Sequence, residues 1–284
     1  MKNKLNIKSI HHLALQIGTN EDYLNYLSDI IKKQYRYKKI PKKNGDKRDI
    51  LVPSKEIKKV QRAILQLLNR ISVHRFAHGW IKGRSTITNS QPHCKNPAKL
   101  CLDVKDCFPN ISSWRIRDVY EHTLGCSPVV ANLLTRLTTY RFHLPQGLPT
   151  SGALVNIVMY SMDIELASYA KANQLKYTRY GDDISFSGKY ISEGQREHIK
   201  LVISSYGFRL NEKKEEYTSG GIAPIITGLN TSTAKPLVPR RYKRQVRAME
   251  YKIFDIPDSD DNKRYLMNSV KGRKQYIEVV ERDR

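Results

Sequence analysis

Apolar residues after Ser54 recur at helical spacing. Ile57, Val60, Ile64, Leu67, Leu68 and Ile71 fall three or four apart, which places them on one face and predicts a core helix. Ser54, directly after Pro53, is positioned to cap its start. Ser127-Pro128 opens a second such pattern with Val130, Leu133, Leu134 and Leu137 inward, and Ser192 precedes a third that ends at Gly207. A longer run from Ala153 to Ala172 also predicts helix. Short β-patterned runs lie between these segments, at Leu100 to Leu102, Leu175 to Arg179 and Ile184 to Ser187. Strands alternating with helices predict an α+β core followed by a charged helical C-terminal region. Asp255 to Asn262, acidic and Pro-containing, reads as a connection inside that last region. There is no internal repeat and no long low-complexity linker.

With 284 residues the chain can bury one substantial core divided into one to three subdomains. Its 50 Lys plus Arg outnumber 27 Asp plus Glu, a net charge of +23 that calls for an anionic partner, and nucleic acid fits best. The basic clusters Lys32 to Arg48 and Arg240 to Arg247 interleave Tyr35, Tyr37 and Tyr242, so stacking can accompany charge. A basic amphipathic helix can also lie on a membrane. The absence of a long apolar span, a signal-peptide core and a lipidation motif ranks that reading lower and points to the cytoplasm. Cys94, Cys101, Cys107 and Cys126 form no Cys-X-X-Cys pair and read as reduced thiols. His74 and His78 with His93 and Cys94 have the residue types of a zinc site, but without a Cys pair the pattern is weak.

The candidate chemistry lies in Tyr180-Gly181-Asp182-Asp183, set between two of the strand runs. Adjacent side chains on a strand point to opposite faces, so two neighbouring carboxylates approach one cation only where the chain turns sharply, as Gly181 permits. Alone, such a pair is most often a polar turn. A third acid, Asp103, sits within the apolar stretch Leu100-Cys101-Leu102-Asp103-Val104-Lys105-Asp106-Cys107-Phe108, where a buried carboxylate needs a partner. Between them, Leu144-Pro145-Gln146-Gly147-Leu148-Pro149-Thr150-Ser151-Gly152 is a Gly- and Pro-rich loop leading into a helix, suited to a close approach by a polyphosphate or a base pair.

In this order and spacing the Asp103 segment, the Leu-Pro-Gln-Gly loop and Tyr-Gly-Asp-Asp resemble reverse transcriptase motifs A, B and C. The resemblance extends from Ile40-Pro41-Lys42-Lys43-Asn44-Gly45-Asp46-Lys47-Arg48 and Pro53, through Gly207-Phe208-Arg209-Leu210-Asn211-Glu212-Lys213-Lys214, to Ile226-Thr227-Gly228. Two features are similar to bacterial retron reverse transcriptases: Asn89-Ser90-Gln91-Pro92-His93 resembles their Asn-Ala-X-X-His, and Ile226-Thr227-Gly228 their Val-Thr-Gly. Ser90 and Ile226 are mild departures; Gly181, where these enzymes more often carry Ala, is a larger one.

The resemblance implies a right-hand polymerase fold. Fingers would span 1–100 and an antiparallel-sheet palm with helices on one face 101–230, with part of 113–150 returning to the fingers; a short helical thumb would span 231–284. It implies an RNA-directed DNA polymerase that copies a structured non-coding RNA by two-metal phosphoryl transfer, primed from an RNA 2′-hydroxyl, in anti-phage defence. Its partners would be that RNA, the DNA product, dNTPs and an effector protein. Asp103, Val104, Asp182 and Asp183 would hold two Mg²⁺ ions, for which Mn²⁺ could substitute. Lys214, with Lys213 as rival, would protonate the leaving pyrophosphate. Arg48 would contact the triphosphate, Gln146, Gly147 and Tyr180 would border the substrate, and Phe108 would exclude the ribose 2′-hydroxyl unless it merely anchors the Pro109 turn. Asn89, His93, Thr227, Gly228, Arg240, Arg241, Lys243 and Arg244 would recognise RNA. An intron-related or other phage-defence polymerase, and a non-catalytic RNA-binding scaffold, are the alternatives.

Overall fold

The computed structural model describes residues 3–41, 47–220, 224–257 and 261–282, without the side chains of Arg48 and Asp261. Helices α1 (Ile10–Ile17) and α2 (Glu21–Asp29) are capped by the side chains of Ser9 and Asn20. An antiparallel hairpin follows, β1 (Tyr35–Pro41) with β2 (Lys47–Pro53), and β1 is largely exposed. Lys42 to Asp46, part of the first basic cluster, lie outside the described residues. Next comes α3 (Lys55–Leu68), where the Ser54 hydroxyl accepts from Ile57 N and the predicted apolar face is buried. Ile71 joins the core just beyond the helix end.

The short α4 (Thr86–Ser90) leads through residues 91–93 to β3 (Ala98–Asp103). Helices α5 (Ser113–Asp118) and α6 (Pro128–Thr138) follow, the second capped by Ser127 as predicted. The Ala153 to Ala172 run forms two helices, α7 (Ser151–Val158) and α8 (Tyr160–Ala172). Met159, at φ −85° and ψ 0°, leaves helical ψ and divides them. Strands β4 (Lys176–Tyr180) and β5 (Asp183–Gly188) form the expected hairpin. Ser192 and Gln195 make a capping box for α9 (Glu193–Ser205), and Gly207 ends that segment in the left-handed region. After β6 (Glu216–Ser219), β7 (Ile225–Ile226) and β8 (Leu229–Asn230) come α10 (Arg240–Phe254) and α11 (Asp261–Glu281). Residues 255–260 connect these two, with 258–260 outside the described residues; the last two positions of the expected connection, Asp261 and Asn262, already belong to α11.

A four-stranded antiparallel sheet in the order β4-β5-β3-β6 organises the centre. Side chains alternate across it. Leu100, Leu102, Tyr177, Ile184 and Phe186 share the face toward α8, all buried in one core cluster with α3, α6 and α9 residues. The opposite face carries Lys99, Cys101, Asp103, Thr178, Asp183, Ser185 and Ser187. A sheet with one apolar and one polar face can present carboxylates without breaking its core. At the C-terminal end, α10 and α11 pack through Tyr242 and Tyr276, 6.0 Å between ring centroids, and through Lys243 with Glu281 at 2.7 Å. Among the described residues no helix is long and apolar enough to cross a membrane.

Candidate active site

Tyr180 and Asp183 close the β4–β5 hairpin as a register pair, leaving Gly181 and Asp182 as a two-residue loop. Gly181 has φ +69°, and positive φ at the first loop position alone is the requirement of a type II′ hairpin. Register then brings the third acid in, because Asp103 pairs directly with Asp183 across β3 and β5. Val104 N donates to Asp182 O at 3.0 Å, tying the end of β3 to the loop. Carboxylates from two segments distant in sequence thus meet at one end of the sheet's polar face. Partial burial pushes the Asp183 carboxyl up to about 6, and the negative charges of Asp182 and Asp103 add to the effect against the opposing Lys214.

Lys214 Nζ lies 2.7 Å from Asp103 Oδ1. This contact follows from the backbone beyond β3: Lys105 N donates to Arg209 O, Asn211 N donates to Asp103 O at 2.8 Å, and a short helical turn at 212–214 aims Lys214 at the carboxylate. The hydrogen bond it donates to Asp103 raises the Lys214 ammonium pKa, so the charged form is favoured. Of the two adjacent lysines, Lys214 is therefore the one at the site.

The Leu-Pro-Gln-Gly loop faces the same region. Leu51 N donates to Gln146 O at 2.9 Å, and a Cβ on Gly147, which has φ +110°, would lie 2.6 Å from Leu51 O. Glycine is needed there for both conformation and space. A cavity of about 470 Å³ is lined by Gln146, Gly147, Phe108, Trp80, Gly152 and Lys82 among others. Phe108 is only 6% exposed, so it packs in the core while one edge borders that cavity. Tyr180 is half-buried beside the carboxylates, and the Arg48 side chain lies outside the described residues.

A family model described as reverse transcriptase (RNA-dependent DNA polymerase) matches residues 40–256. The chain belongs to the reverse transcriptase family. It is an RNA-directed DNA polymerase, using an RNA template and making DNA. Over 253 residues it is 29% identical to the Retron Ec86 reverse transcriptase of Escherichia coli, covering 87% of this chain and 79% of that protein. Over 249 residues it is 31% identical to the Retron Mx65 reverse transcriptase of Myxococcus xanthus, covering 80% of this chain and 58% of that one. A telomerase structure from Candida albicans, in complex with a TWJ fragment of telomeric RNA, matches with a TM-score of 0.52 at 13% identity, over 86% of this chain and 56% of that chain. That likeness concerns the fold, which is the expected polymerase fold.

The two retron-like stretches of this reverse transcriptase meet in its interior. Asn89 Nδ2 donates to Thr227 Oγ1 at 3.3 Å, and Ser90 Oγ donates to Ile226 O at 2.8 Å. His93 is fully buried, its ring nitrogens 2.7 Å from the Ser187 and Thr178 hydroxyls. Burial first, then neighbouring Lys99 and His78, push its pKa down to about 3, so the ring is neutral. Gly228 is the exposed member of the set. On α10, Arg240, Arg241 and Arg244 are exposed, whereas Lys243 is turned inward to Glu281. Among the described residues no group of three His, Cys, Asp or Glu is assembled to hold a metal. The weak zinc pattern dissolves because His93 and His78 are committed to hydroxyls, His78 Nδ1 being 2.9 Å from Thr88 Oγ1.

Two parts of the site escaped the sequence reading. Arg179, fully buried on the apolar face, makes paired hydrogen bonds of 2.7 and 2.6 Å to Asp163 and donates to Gly181 O at 2.8 Å and Asn156 Oδ1 at 3.1 Å. Burial opposes its charge, but Asp163 more than compensates and its pKa is raised. The signal was present: period two puts Arg179 inward beside Tyr177, and an inward cation requires a carboxylate. The other is Trp80, whose ring fills the space a Cβ on Gly181 would occupy, a steric account of Gly at that position.

Proposed function

We propose that this reverse transcriptase is of the retron type, copying a structured non-coding RNA into single-stranded DNA from a primer 2′-hydroxyl. The observation that carries the catalytic part is the convergence of Asp103, Asp182 and Asp183 at one end of the polar face, with Lys214 against Asp103. The retron part rests on similarity over most of the chain to retron enzymes. A role in anti-phage defence, with an effector protein as partner, rests on that similarity alone.

The donor set suits hard divalent cations, since all three side chains offer carboxylate oxygens. Mg²⁺ would keep few protein ligands here and complete its shell with water and phosphate. Asp103, Asp182 and Asp183, with the flanking Val104, would hold the Mg²⁺ ions, and Mn²⁺ could replace them. When bound, such ions lower the pKa of the attacking hydroxyl and stabilise the leaving oxygen.

The chain's own groups have definable tasks. Lys214, held as an ammonium, is placed to give its proton to the leaving pyrophosphate. Arg48 on β2, Gln146, Gly147 and Tyr180 border the deoxynucleoside triphosphate, and the edge of Phe108 excludes the 2′-hydroxyl. Arg240, Arg241 and Arg244 bind RNA phosphates. Asn89, His93 and Thr227 act on RNA choice indirectly, by fixing the segment that ends at exposed Gly228. Fingers at 1–100, palm at 101–230 and thumb at 231–284 remain part of this proposal; β3 (Ala98–Asp103) runs across the first of these boundaries.

The test is the nucleic acid that co-purifies with the active protein. Sequencing should return one DNA species covalently joined to one structured RNA, and a 2′,5′-debranching enzyme should release the DNA. DNA that is never joined to RNA, or a junction resistant to debranching, would remove the retron assignment and leave the polymerase intact.

A further inference from the structure

Trp80 is brought to the catalytic centre by backbone hydrogen bonds. Arg179 N donates to Phe76 O at 2.8 Å, His78 N donates to Arg179 O at 2.7 Å, and Ala77 bridges Arg179 in parallel, so residues 76–79 lie along β4 as an added edge. Asn156 Nδ2 donates to Gly79 O at 2.8 Å. A Cβ on Gly79 would lie 2.5 Å from Gly181 N, so the two backbones touch at the metal-binding loop. The next residue, Trp80, is held at φ +57°. A bulky residue adopts that conformation only where its surroundings compel it, and such strain gathers at functional sites.

The indole then contacts segments from three parts of the chain. A Cβ on Gly152, at the start of α7, would lie 2.4 Å from Trp80 Cγ and 2.9 Å from Cβ. A Cβ on Gly181 would lie 2.8 Å from Cη2, 3.2 Å from Cζ3 and 3.4 Å from Cζ2. The Phe108 ring stands edge-on to it at 5.5 Å. Despite these contacts the side chain is 49% exposed and lines the cavity with Gln146 and Gly147.

We propose that Trp80 is a positioning residue of the polymerase site: its outer ring sets the Gly181 turn that carries Asp182 and Asp183, and the same ring fixes the edge of Phe108. This rests on the reading of those residues as the catalytic centre. The atoms facing Gly181 belong to the distal six-membered ring, whereas those facing Gly152 are Cβ, Cγ and the ring junction. Trp80→Phe therefore deletes the first contact while keeping most of the second.

That asymmetry defines the experiment, a double-mutant cycle read as kcat and KM for dNTP addition to a primed RNA template. Gly181→Ala should lower kcat by about tenfold in the otherwise wild-type enzyme, the scale of one methyl forced into a packed contact. In the Trp80→Phe background the same change should cost roughly twofold or less. Backbone strain at residue 181 is common to both backgrounds, so their difference isolates the indole. Gly152→Ala should not be rescued, because Phe retains Cβ and Cγ. Should Gly181→Ala fold only in the Trp80→Phe background, that rescue counts as the same result. Equal loss in both backgrounds, folded or not, overturns the proposal. Sugar selection separates it from the gate reading: Trp80→Ala should weaken the preference for dNTP over rNTP, with no further effect in the Phe108→Ala background. If Phe108→Ala leaves sugar choice unchanged, the gate reading fails and the cycle alone judges Trp80.

Discussion

The two ends of the sheet's polar face are built from the same strands and do opposite things with polar groups. At one end His93 sits between the Thr178 and Ser187 hydroxyls, with Asn89, Ser90 and Thr227 bonded to one another nearby. Asn89, Ser90 and His93 are buried there, and apart from Asn89 Oδ1 these side chains are bonded within the cluster. At the other end Asp103, Asp182 and Asp183 gather like charges, and desolvation first, with those charges adding to it, pushes Asp183 up to about 6. Hydrogen-bonded polar groups specify a packing arrangement; accumulated charge of one sign specifies a ligand of the other. Polarity alone therefore does not identify a site. What distinguishes the proposed catalytic end is the excess of like charge around the Asp103–Lys214 pair.

The sharpest way to break this contrast is Asp183→Asn. It should reduce dNTP incorporation by at least roughly a thousandfold, if the carboxylates contribute several kcal/mol to the transition state, with RNA affinity largely kept. Near-normal primer extension by the folded variant would show that the repelling carboxylates are not the catalytic ones. Arg179→Met probes the support beneath them. Stranding Asp163 in the core should cost about 3–5 kcal/mol of unfolding free energy, and Asp163→Asn with Arg179→Met should recover part of it. Denaturant midpoints unchanged in the single variant would mean that the turn does not depend on this pair.

The smallest effect belongs to the satisfied end. His93 has a folded pKa near 3 against about 6.5 when unfolded, so its neutral form is favoured by folding. Its stability contribution is complete above pH 6.5 and is lost as the pH falls toward 3. Between neutral pH and pH 5 the wild type should lose roughly 2 kcal/mol more than His93→Gln, which stays neutral. His78, also depressed, to about 4, acts in the same direction in both proteins and cancels in the difference. Parallel stability curves for the two proteins would show that His93 is not buried neutral.

Helix faces were legible because each is a local repeat: Ser54 with Ile57, Val60 and Ile64 needs no knowledge of the rest of the chain. The three acids were legible as a set, through their motif order. Their pairing was not, because the Asp103 and Asp183 register depends on how two strands distant in sequence align. The choice between Lys213 and Lys214 depended on the direction of one short helical turn. The signature that holds His93 implies a part in RNA recognition and carries no sign of how deeply the ring lies. Trp80 carried no periodic partner at all. Its neighbours Phe108, Gly152 and Gly181 come from separate segments, and only folding makes them adjacent.

The join between Leu51 and the Gln146-Gly147 loop has a mechanical consequence. One backbone hydrogen bond and one contact too close for a side chain link the exposed β1–β2 hairpin to the wall of the cavity. The hairpin is a lever whose short arm ends at Gln146. A displacement of β2 at Leu51 would therefore be passed to Gln146 and Gly147, which line the cavity, through main chain alone.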